Sequence, residues 1–199
     1  MPSVQEPYCL KGRTALVVGP ANELRSEVAA ALTAAGASVS PLLPELPLSA
    51  GAIAAIEAAD ILILQTLVEP EASAGADDWE AIDRLRRTLV KLPTALMAKA
   101  VPVMSRRRWG RVVFLTGGDE ATPASVAVQS AQSALMQAEA RQLAAAGITV
   151  NLLAINAPAK KLVLETRQAI ASAALYFASD ESGFVTGQTL QVTLDSMRK

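Results

Sequence analysis

Histidine is absent from this 199-residue chain, and cysteine occurs once, at Cys9. Without histidine there is no imidazole to ligate a metal, to serve as the base of a Ser-His-Asp or Cys-His triad, or to titrate near neutral pH. A single cysteine excludes a disulfide within the chain and any paired-cysteine motif. The familiar chemistries that depend on these two residue types are therefore excluded.

Aromatic and charged side chains are also scarce, at 4% and 19% of the chain, and the formal net charge is −1. This balance gives no general attraction to nucleic acid or anionic lipid, so neither is an expected partner. No signal-like stretch and no apolar run of membrane length is apparent, which makes a cytoplasmic protein the expectation. Apolar residues make up 51% of the chain, enough at this length for one domain with a sizeable core.

Short apolar runs alternate along the chain with alanine-rich segments of helical character. The predicted strands are residues 14–18, 39–43, 61–64, 111–115, 149–153 and 189–193, and the predicted helices are 23–35, 50–59, 78–104, 124–146 and 165–178. Strands that are apolar throughout are typical of sheets covered on both faces. The alternation predicts one α/β domain over residues 1–199, with a parallel sheet between two helical layers.

Several segments together carry a family resemblance. The chain opens with KGRTALVVGPANELRSEVAAALTAAGASV, and ADILIL, WGRVVFLTG and SALMQAEARQLAAAGITVNLLAINAP follow along the chain. In this order they resemble the first βαβ unit and the central segments of the short-chain dehydrogenase/reductase family. The tail ASAALYFASDESGFVTGQTLQV is the most specific match. The resemblance covers nearly the whole chain and implies a Rossmann-like, doubly wound parallel sheet.

The family's dinucleotide-binding residues are not matched. Its first turn carries three glycines that let the backbone approach a diphosphate, and here only Gly19 remains, with Glu23 and Arg25 at the other two positions. The ribose-binding position falls near Leu43, which offers no acceptor. We therefore expect no NAD or NADP cofactor. Arg25 either binds a phosphate or, as we favour, forms a surface ion pair with Glu23 or Glu27.

The family's catalytic residues are not matched either. The resemblance implies a tyrosine, a lysine four residues later that lowers its pKa, a serine and a helical asparagine. These positions fall on Val128, Gln132, Gly117 and Arg86. Thr116 and Ser125 are hydroxyls near the serine position, but the tyrosine and lysine positions have no replacement. We expect no catalytic residues and no metal site.

Two segments are shorter than the family pattern. The stretch between the second predicted strand and Ile61 holds one helix, so we expect the sheet to be truncated to about six strands. The stretch between Pro158 and Glu165 is too short for the family's substrate-covering lid.

Three other features are candidates for function. The acidic pair Asp119–Glu120 follows a strand, where α/β proteins bind ligands, although a solvated turn is the simpler interpretation. A set of arginines could bind a phosphate or a CoA tail, although a solvated helix face or contact with an acidic partner is the favoured use. That set comprises Arg84, Arg86, Arg87, Arg106, Arg107, Arg108 and Arg111. Cys9 is expected to be an inert apolar residue.

The family oligomerises through segments that are well kept here, namely predicted helices 78–104 and 124–146 and the tail 187–192. The leading hypothesis is therefore a catalytically inactive subunit that assembles with an active paralogue of the same family. Leu89, Leu96, Ala134 and Ala138 are expected at that interface. The alternative is a self-standing homo-oligomer that binds a small ligand without redox activity. A reductase with a new mechanism is a third, less favoured possibility.

Overall fold

A single parallel sheet forms the centre of the molecule. The computed structural model describes residues 7–43, 46–68, 79–118, 123–156 and 162–192. Its strands are β1 (Thr14–Val18), β2 (Ser38–Leu42), β3 (Ile61–Val68), β4 (Gly110–Gly118), β5 (Ile148–Ile155) and β6 (Thr189–Val192). They lie in the order β2-β1-β3-β4-β5-β6, and every neighbouring pair is parallel. This confirms the predicted truncated, six-stranded Rossmann-like sheet.

Helices cover both faces of this sheet. They are α1 (Glu23–Ala34), α2 (Ala50–Ala58), α3 (Trp79–Arg86), α4 (Leu92–Arg107), α5 (Pro123–Leu143) and α6 (Leu164–Ala178). Helices α1 and α6 share one apolar core with the sheet, and α2, α4 and α5 share the other. The two cores use alternate residues of the same strand: Ile61 and Ile63 of β3 face the first core, and Leu62 and Leu64 face the second. This is why the central strands are apolar throughout.

The predicted helix 78–104 is not uniform. Its Asp78 lies outside the described residues, the helix extends to Arg107, and a π-helical turn at Arg87–Lys91 joins α3 to α4. In that turn the main-chain N–H of Leu92 donates to the carbonyl of Arg87, five residues back. Pro93, which comes next, has no N–H to donate and its ring crowds the preceding turn. The predicted helix is therefore observed from Trp79 onward, and it contains a π turn that was not predicted.

Helix α1 begins directly after the first strand because its first turn is well capped. The side chain of Asn22 accepts a hydrogen bond from the main-chain N–H of Arg25. Leu24, Val28 and Leu32 follow at four-residue spacing and are buried against the sheet. The chain passes from β1 outward to β2 and later returns to β3 on the other side of β1. This reversal of strand order creates a crevice at the carboxyl ends of β1 and β3, where α/β proteins bind ligands.

Candidate functional site

The crevice beside β1 opens with Gly19, whose backbone leaves no room for a side chain. Its φ is +148°, and a Cβ there would lie 2.7 Å from the Cβ of Gln65 on β3. Gly19 therefore serves the packing of the turn against the neighbouring strand. The packing of Gly19 against Gln65 therefore requires a glycine at this position whether or not a cofactor binds.

Arg25 folds back onto this turn. Its guanidinium Nη1 donates to the main-chain oxygen of Gly19 across 2.9 Å. Within the described ranges no ion pair links Arg25 to Glu23 or Glu27, so the predicted pairing was wrong. The reason is geometric: after the Asn22 cap the Arg25 side chain lies over the end of β1, where the main-chain oxygen of Gly19 accepts its hydrogen bond.

Glu23 is instead paired with a residue on another helix. Its carboxylate lies 2.8 Å from Nη1 of Arg167, which also donates to the carbonyl of Leu162. The Arg167 side chain is 15% exposed, whereas Glu23 is 78% exposed. This ion pair joins the start of α1 to the start of α6. No feature of the local sequence around Arg167 marks it as the partner of Glu23.

A shallow depression of about 500 Å³ lies at this point. Its charged lining consists of two acids, Glu23 and Glu27, and two bases, Arg25 and Arg167. A diphosphate is attracted by an excess of positive charge and by free N–H groups at a helix start. Here the charges balance and Asn22 occupies an N–H of the first turn. The other predicted cofactor position, Leu43, lies just beyond β2 with 64% of its surface exposed.

Gln132, at the family's lysine position, is buried. It lies on α5, has no exposed surface, and its Nε2 donates to the hydroxyl of Thr66 on β3 across 2.8 Å. Thr66 donates onward to the carbonyl of Leu115 at 3.2 Å. Val128 also lies on α5, one turn earlier, but its side chain is outside the described residues. An amide cannot supply the positive charge with which a lysine lowers the pKa of a tyrosine.

Gly117, at the family's serine position, is enclosed. Its φ is +151°, and a Cβ there would lie 1.9 Å from the main-chain oxygen of Ile155 on β5. Strands β4 and β5 approach closely at this point, so a serine would force the backbone to move. The neighbouring hydroxyl of Thr116 is buried and makes no hydrogen bond among the described residues.

Unpartnered polar atoms are concentrated near the carboxyl ends of β3 and β4. Both amide atoms of Gln65, Oγ1 of Thr116, Oε1 of Gln132 and Nε2 of Gln129 are buried without a hydrogen-bond partner among the described residues. Thr66 and Thr116 are register partners on adjacent strands, and Gln132 packs over Thr66. Gln65 points to the opposite face of the sheet, because successive strand residues alternate. The sequence analysis named Thr116 and Gln132 but did not predict this cluster, because its contacts join residues that are far apart in the sequence.

Six of the seven arginines predicted as one cluster are exposed along the segment from α3 to the residue after α4, and they differ in their contacts. Arg86, at the family's asparagine position, and Arg87 both bind Asp83 at 2.9 Å, and these arginines hold the pKa of the Asp83 carboxyl below its usual range. Arg107 binds Asp60 at 2.9 Å. Arg111 is 4% exposed and does not belong to any surface cluster, so that part of the prediction was wrong.

Arg111 instead holds a polar cluster at the opposite end of the sheet. Its Nη2 lies 3.1 Å from the Asp180 carboxylate, which also accepts from the indole N–H of Trp109 at 2.8 Å. The guanidinium groups of Arg13 and Arg111 lie 3.7 Å and 4.3 Å from the centre of the Trp109 ring, as cation–π contacts. Burial lowers the pKa of Arg111, and the negative charge of Asp180 opposes that effect.

The remaining candidates add no site. Cys9 is half-buried, and the pair at 119–120 lies outside the described residues. Across the described ranges there is no group of three or more acidic, histidine or cysteine side chains that could hold a metal ion. In the same ranges no helix has the length and apolar character needed to span a membrane.

The residues predicted at a subunit interface divide into two groups. Leu89 and Leu96 have no exposed surface and are buried within the single chain, so their predicted role at an interface was wrong. They are covered because the helical segment from α3 to α4 packs on α5 and on the sheet. Ala134 is exposed on α5 and Ala138 is half-buried, so these two remain accessible.

The fold is that of solved structures of short-chain reductases and dehydrogenases. One described as a short-chain dehydrogenase/reductase family protein is 24% identical, with a TM-score of 0.75, covering 92% of this chain and 97% of its own. At such identities the likeness concerns the fold. No protein-family model and no curated protein matches the sequence.

Two of these structures can be named. A 3-oxoacyl-(acyl-carrier-protein) reductase from Agrobacterium tumefaciens C58, solved with NADP, has a TM-score of 0.78 and 23% identity over 94% of this chain and 95% of its own. A gluconate 5-dehydrogenase from Burkholderia cenocepacia J2315, in complex with NADP and tartrate, has a TM-score of 0.76 and 20% identity over 94% and 95%. The NADP belongs to those proteins.

Proposed function

We propose that this chain is a non-catalytic member of the short-chain dehydrogenase/reductase family that acts as a subunit beside an active paralogue. The observation that carries the proposal is the environment of Gln132, which stands at the family's lysine position. Its side chain is fully buried, and its amide N–H donates a hydrogen bond to the hydroxyl of Thr66. A buried neutral amide in this place can neither bind a ribose hydroxyl as a cation nor lower the pKa of a tyrosine.

Two further features support inactivity. The close approach of Gly117 to Ile155 leaves no space for the family's serine. The first turn is occupied by the chain's own contacts, with Arg25 on Gly19 and Glu23 on Arg167. A cofactor would have to displace these contacts and place its diphosphate beside the Glu23 carboxylate, which costs free energy through like-charge repulsion.

Exposed features support assembly. Helix α5 presents small side chains such as Ala134 to solvent, which permits close packing of another helix. Strand β6 lies at one edge of the described sheet, and Leu190 on it is 44% exposed. Phe184, just before it, is fully exposed. One enzyme with such a paired, inactive subunit is 2-[hydroxy(phenyl)methyl]succinyl-CoA dehydrogenase, although no residue of this chain specifies that substrate.

The cofactor half of the proposal is tested by calorimetric titration of the purified chain with NADH and NADPH. We expect no heat of binding at millimolar ligand. A dissociation constant below about 100 μM, which corresponds to roughly −5.5 kcal/mol, would show that the chain binds a dinucleotide and would refute the proposal. Glu23→Gly alone should not create binding, because Arg25 still covers the turn.

The subunit half is tested by co-expression with an intact reductase of the same family from the same source. We expect the two chains to copurify in a fixed ratio and the reductase to be more active or more soluble with the partner present. A well-behaved monomer that leaves the reductase unchanged would contradict it.

A specific observation favours one alternative, a small-ligand binding protein without redox activity. Thr116 Oγ1 and Gln132 Oε1 are buried without partners in the described residues, and buried polar atoms normally find a partner. A crystal structure would decide: ordered density other than water between these two atoms supports the alternative, and water alone or no density supports the subunit proposal.

A further inference from the structure

Positive charge is concentrated on one helical segment of this nearly neutral protein. Residues 79–108, from α3 to the residue after α4, contain eight arginine and lysine residues and two acids. The whole chain has 18 basic and 19 acidic residues, so the rest of it has ten and seventeen. Helix α5, which packs beside this segment, carries one residue of each sign, Glu139 and Arg141.

The cations fall on the solvent face of the segment. Arg84, Arg87, Lys91, Lys99 and Arg106, which we call the basic stripe, are all exposed. Their spacings of three, four, eight and seven residues keep them on one side of a helix. At about 1.5 Å per residue the stripe is roughly 33 Å long. The opposite side of the same helix is buried in the core through Leu96, Met97, Ala100 and Met104.

The acids of the segment neutralise only one end of this stripe. Arg87 binds Asp83 at 2.9 Å and Arg84 lies 4.0 Å from Glu80, both within α3 and the π turn. No ion pair in the described parts of the chain involves Lys91, Lys99 or Arg106. Among the residues that the structure describes, the positive charge of these three side chains is therefore not neutralised by an ion pair.

The sign of this charge distinguishes between possible partners. In a two-fold symmetric homodimer both subunits contribute the same surface patch to the interface, so a patch on one subunit faces or adjoins the same patch on the other. Two copies of the chain that pair through this segment would therefore bring two basic stripes together, and like charges across an interface oppose binding. A different chain with acidic residues at matching positions would be attracted.

We propose that the basic stripe is a docking surface for a second, different protein whose facing helix is acidic, and that its charge disfavours self-pairing. The inference rests on the proposed function, since it specifies the surface chemistry of the partner subunit. The side chains exposed beside the α4 cations are small or compact, namely Thr94, Ala98 and Pro102, so another helix can approach closely. At the start of α3, Trp79 is 75% exposed, and tryptophan and arginine are the residue types most often central to protein interfaces.

Other polyanions fit less well. Nucleic acid is bound by broad basic surfaces on proteins that are usually basic overall, whereas this stripe is one helix wide on a chain of net charge −1. A membrane-bound helix inserts large apolar side chains, and the exposed residues between Lys91 and Arg106 include none. A protein surface is the occupant that the geometry favours.

The test uses a charge-reversed copy of this chain as the acidic partner. The variant Lys91→Glu/Lys99→Glu/Arg106→Glu presents an acidic stripe on the same helix, and its folding is checked by circular dichroism. Self-association of each protein, and association of the labelled wild-type chain with the variant, are measured by sedimentation at about 50 mM and 500 mM salt. We expect the mixed pair to bind at least tenfold more tightly than either self-pair at low salt, and the difference to disappear at high salt, where exposed charges are screened.

The matched control keeps the charge and changes the side chains. The variant Lys91→Arg/Lys99→Arg/Arg106→Lys should not gain affinity for the wild-type chain.

Three outcomes would overturn the inference. The mixed pair could bind no better than the self-pairs. The wild-type chain could form a homodimer that the triple reversal weakens at both salt concentrations. The wild-type chain could bind a DNA duplex or phosphatidylserine vesicles at about 150 mM salt, with loss of binding in the reversed variant. None of these results bears on cofactor binding, so the calorimetric test of the proposed function is independent.

Discussion

The amide of Gln132 on α5 and the hydroxyl of Thr66 on β3 are joined by a 2.8 Å hydrogen bond, although 66 residues separate them in the chain. Both side chains are buried, with Gln132 fully enclosed and Thr66 3% exposed. The bond fixes the long helix against the carboxyl end of the sheet.

This bond makes Thr66→Val a test of the buried polar contact. Valine has the same shape but no acceptor, so the Gln132 amide would be buried without a partner. We expect a loss of about 1–3 kcal/mol in the free energy of unfolding, measured in urea. Thr149→Val is the matched control: Thr149 is 5% exposed and its hydroxyl has no partner among the described residues, so stability should not fall. Equal effects of the two changes would contradict the assignment.

The two tryptophans should differ sharply in their contribution to stability. Trp109→Phe removes the indole N–H that donates to Asp180 and weakens the contacts with Arg13 and Arg111, and we expect a loss of about 1–2 kcal/mol in unfolding free energy. Trp79→Phe, at a site that is 75% exposed, should change it by less than about 0.5 kcal/mol. If both variants unfold at the same urea concentration as the parent, the cluster around Trp109 does not stabilise the fold.

The stability of the chain should depend on Glu181 in acid. The main-chain N–H of Tyr8 donates to Glu181 at 2.8 Å, and this bond is the main reason that the pKa of Glu181 lies below its ordinary value of 4.5. A group whose pKa is lower in the folded state stabilises the protein above its unfolded pKa, and the contribution is lost as the pH falls through the folded value.

Glu181→Gln should therefore reduce stability at pH 7 and flatten the fall in stability below about pH 4.5. Denaturant melts between pH 7 and pH 3 measure both effects. Glu57→Gln, on the surface of α2, controls for the loss of one carboxylate. An unchanged acid profile in Glu181→Gln would exclude the Tyr8 contact as a source of pH dependence.

Substitutions at Leu96 and Ala134 should have different effects, the first on the stability of the isolated chain and the second on binding to the partner subunit. Leu96→Ala removes buried side-chain volume within the chain and should cost about 2–5 kcal/mol of unfolding free energy. Ala134→Glu, on the exposed side of α5, should change the stability of the isolated chain by less than about 0.5 kcal/mol. In the assembled complex it should weaken binding by several kcal/mol, because the introduced charge would be buried without a partner.

Chemical denaturation of the isolated chain and sedimentation with the partner reductase give the two readouts. If Ala134→Glu leaves the complex intact, α5 is not part of the interface, and the basic stripe and β6 remain as candidate assembly surfaces.

Much of the fold could be predicted because its signals are local. The apolar run Ile61–Leu64 favours a strand covered on both faces, and the structure has β3 there. The Asn22 cap and the four-residue spacing of Leu24, Val28 and Leu32 define α1. The π turn before Pro93 was not predicted, since a proline can also be accommodated by a break or a kink.

By itself, the sequence determined the parallel α/β architecture, the absence of histidine chemistry, and the residue types at Gly117, Val128 and Gln132. Only the tertiary structure decided which atoms those residues contact: Gln132 with Thr66, Glu23 with Arg167, and Arg111 with Asp180. It also decided that Leu89 and Leu96 belong to the core of the chain. The physical reason is that periodicity shows that a helix has an apolar face, whereas the surface that covers this face depends on how distant segments pack.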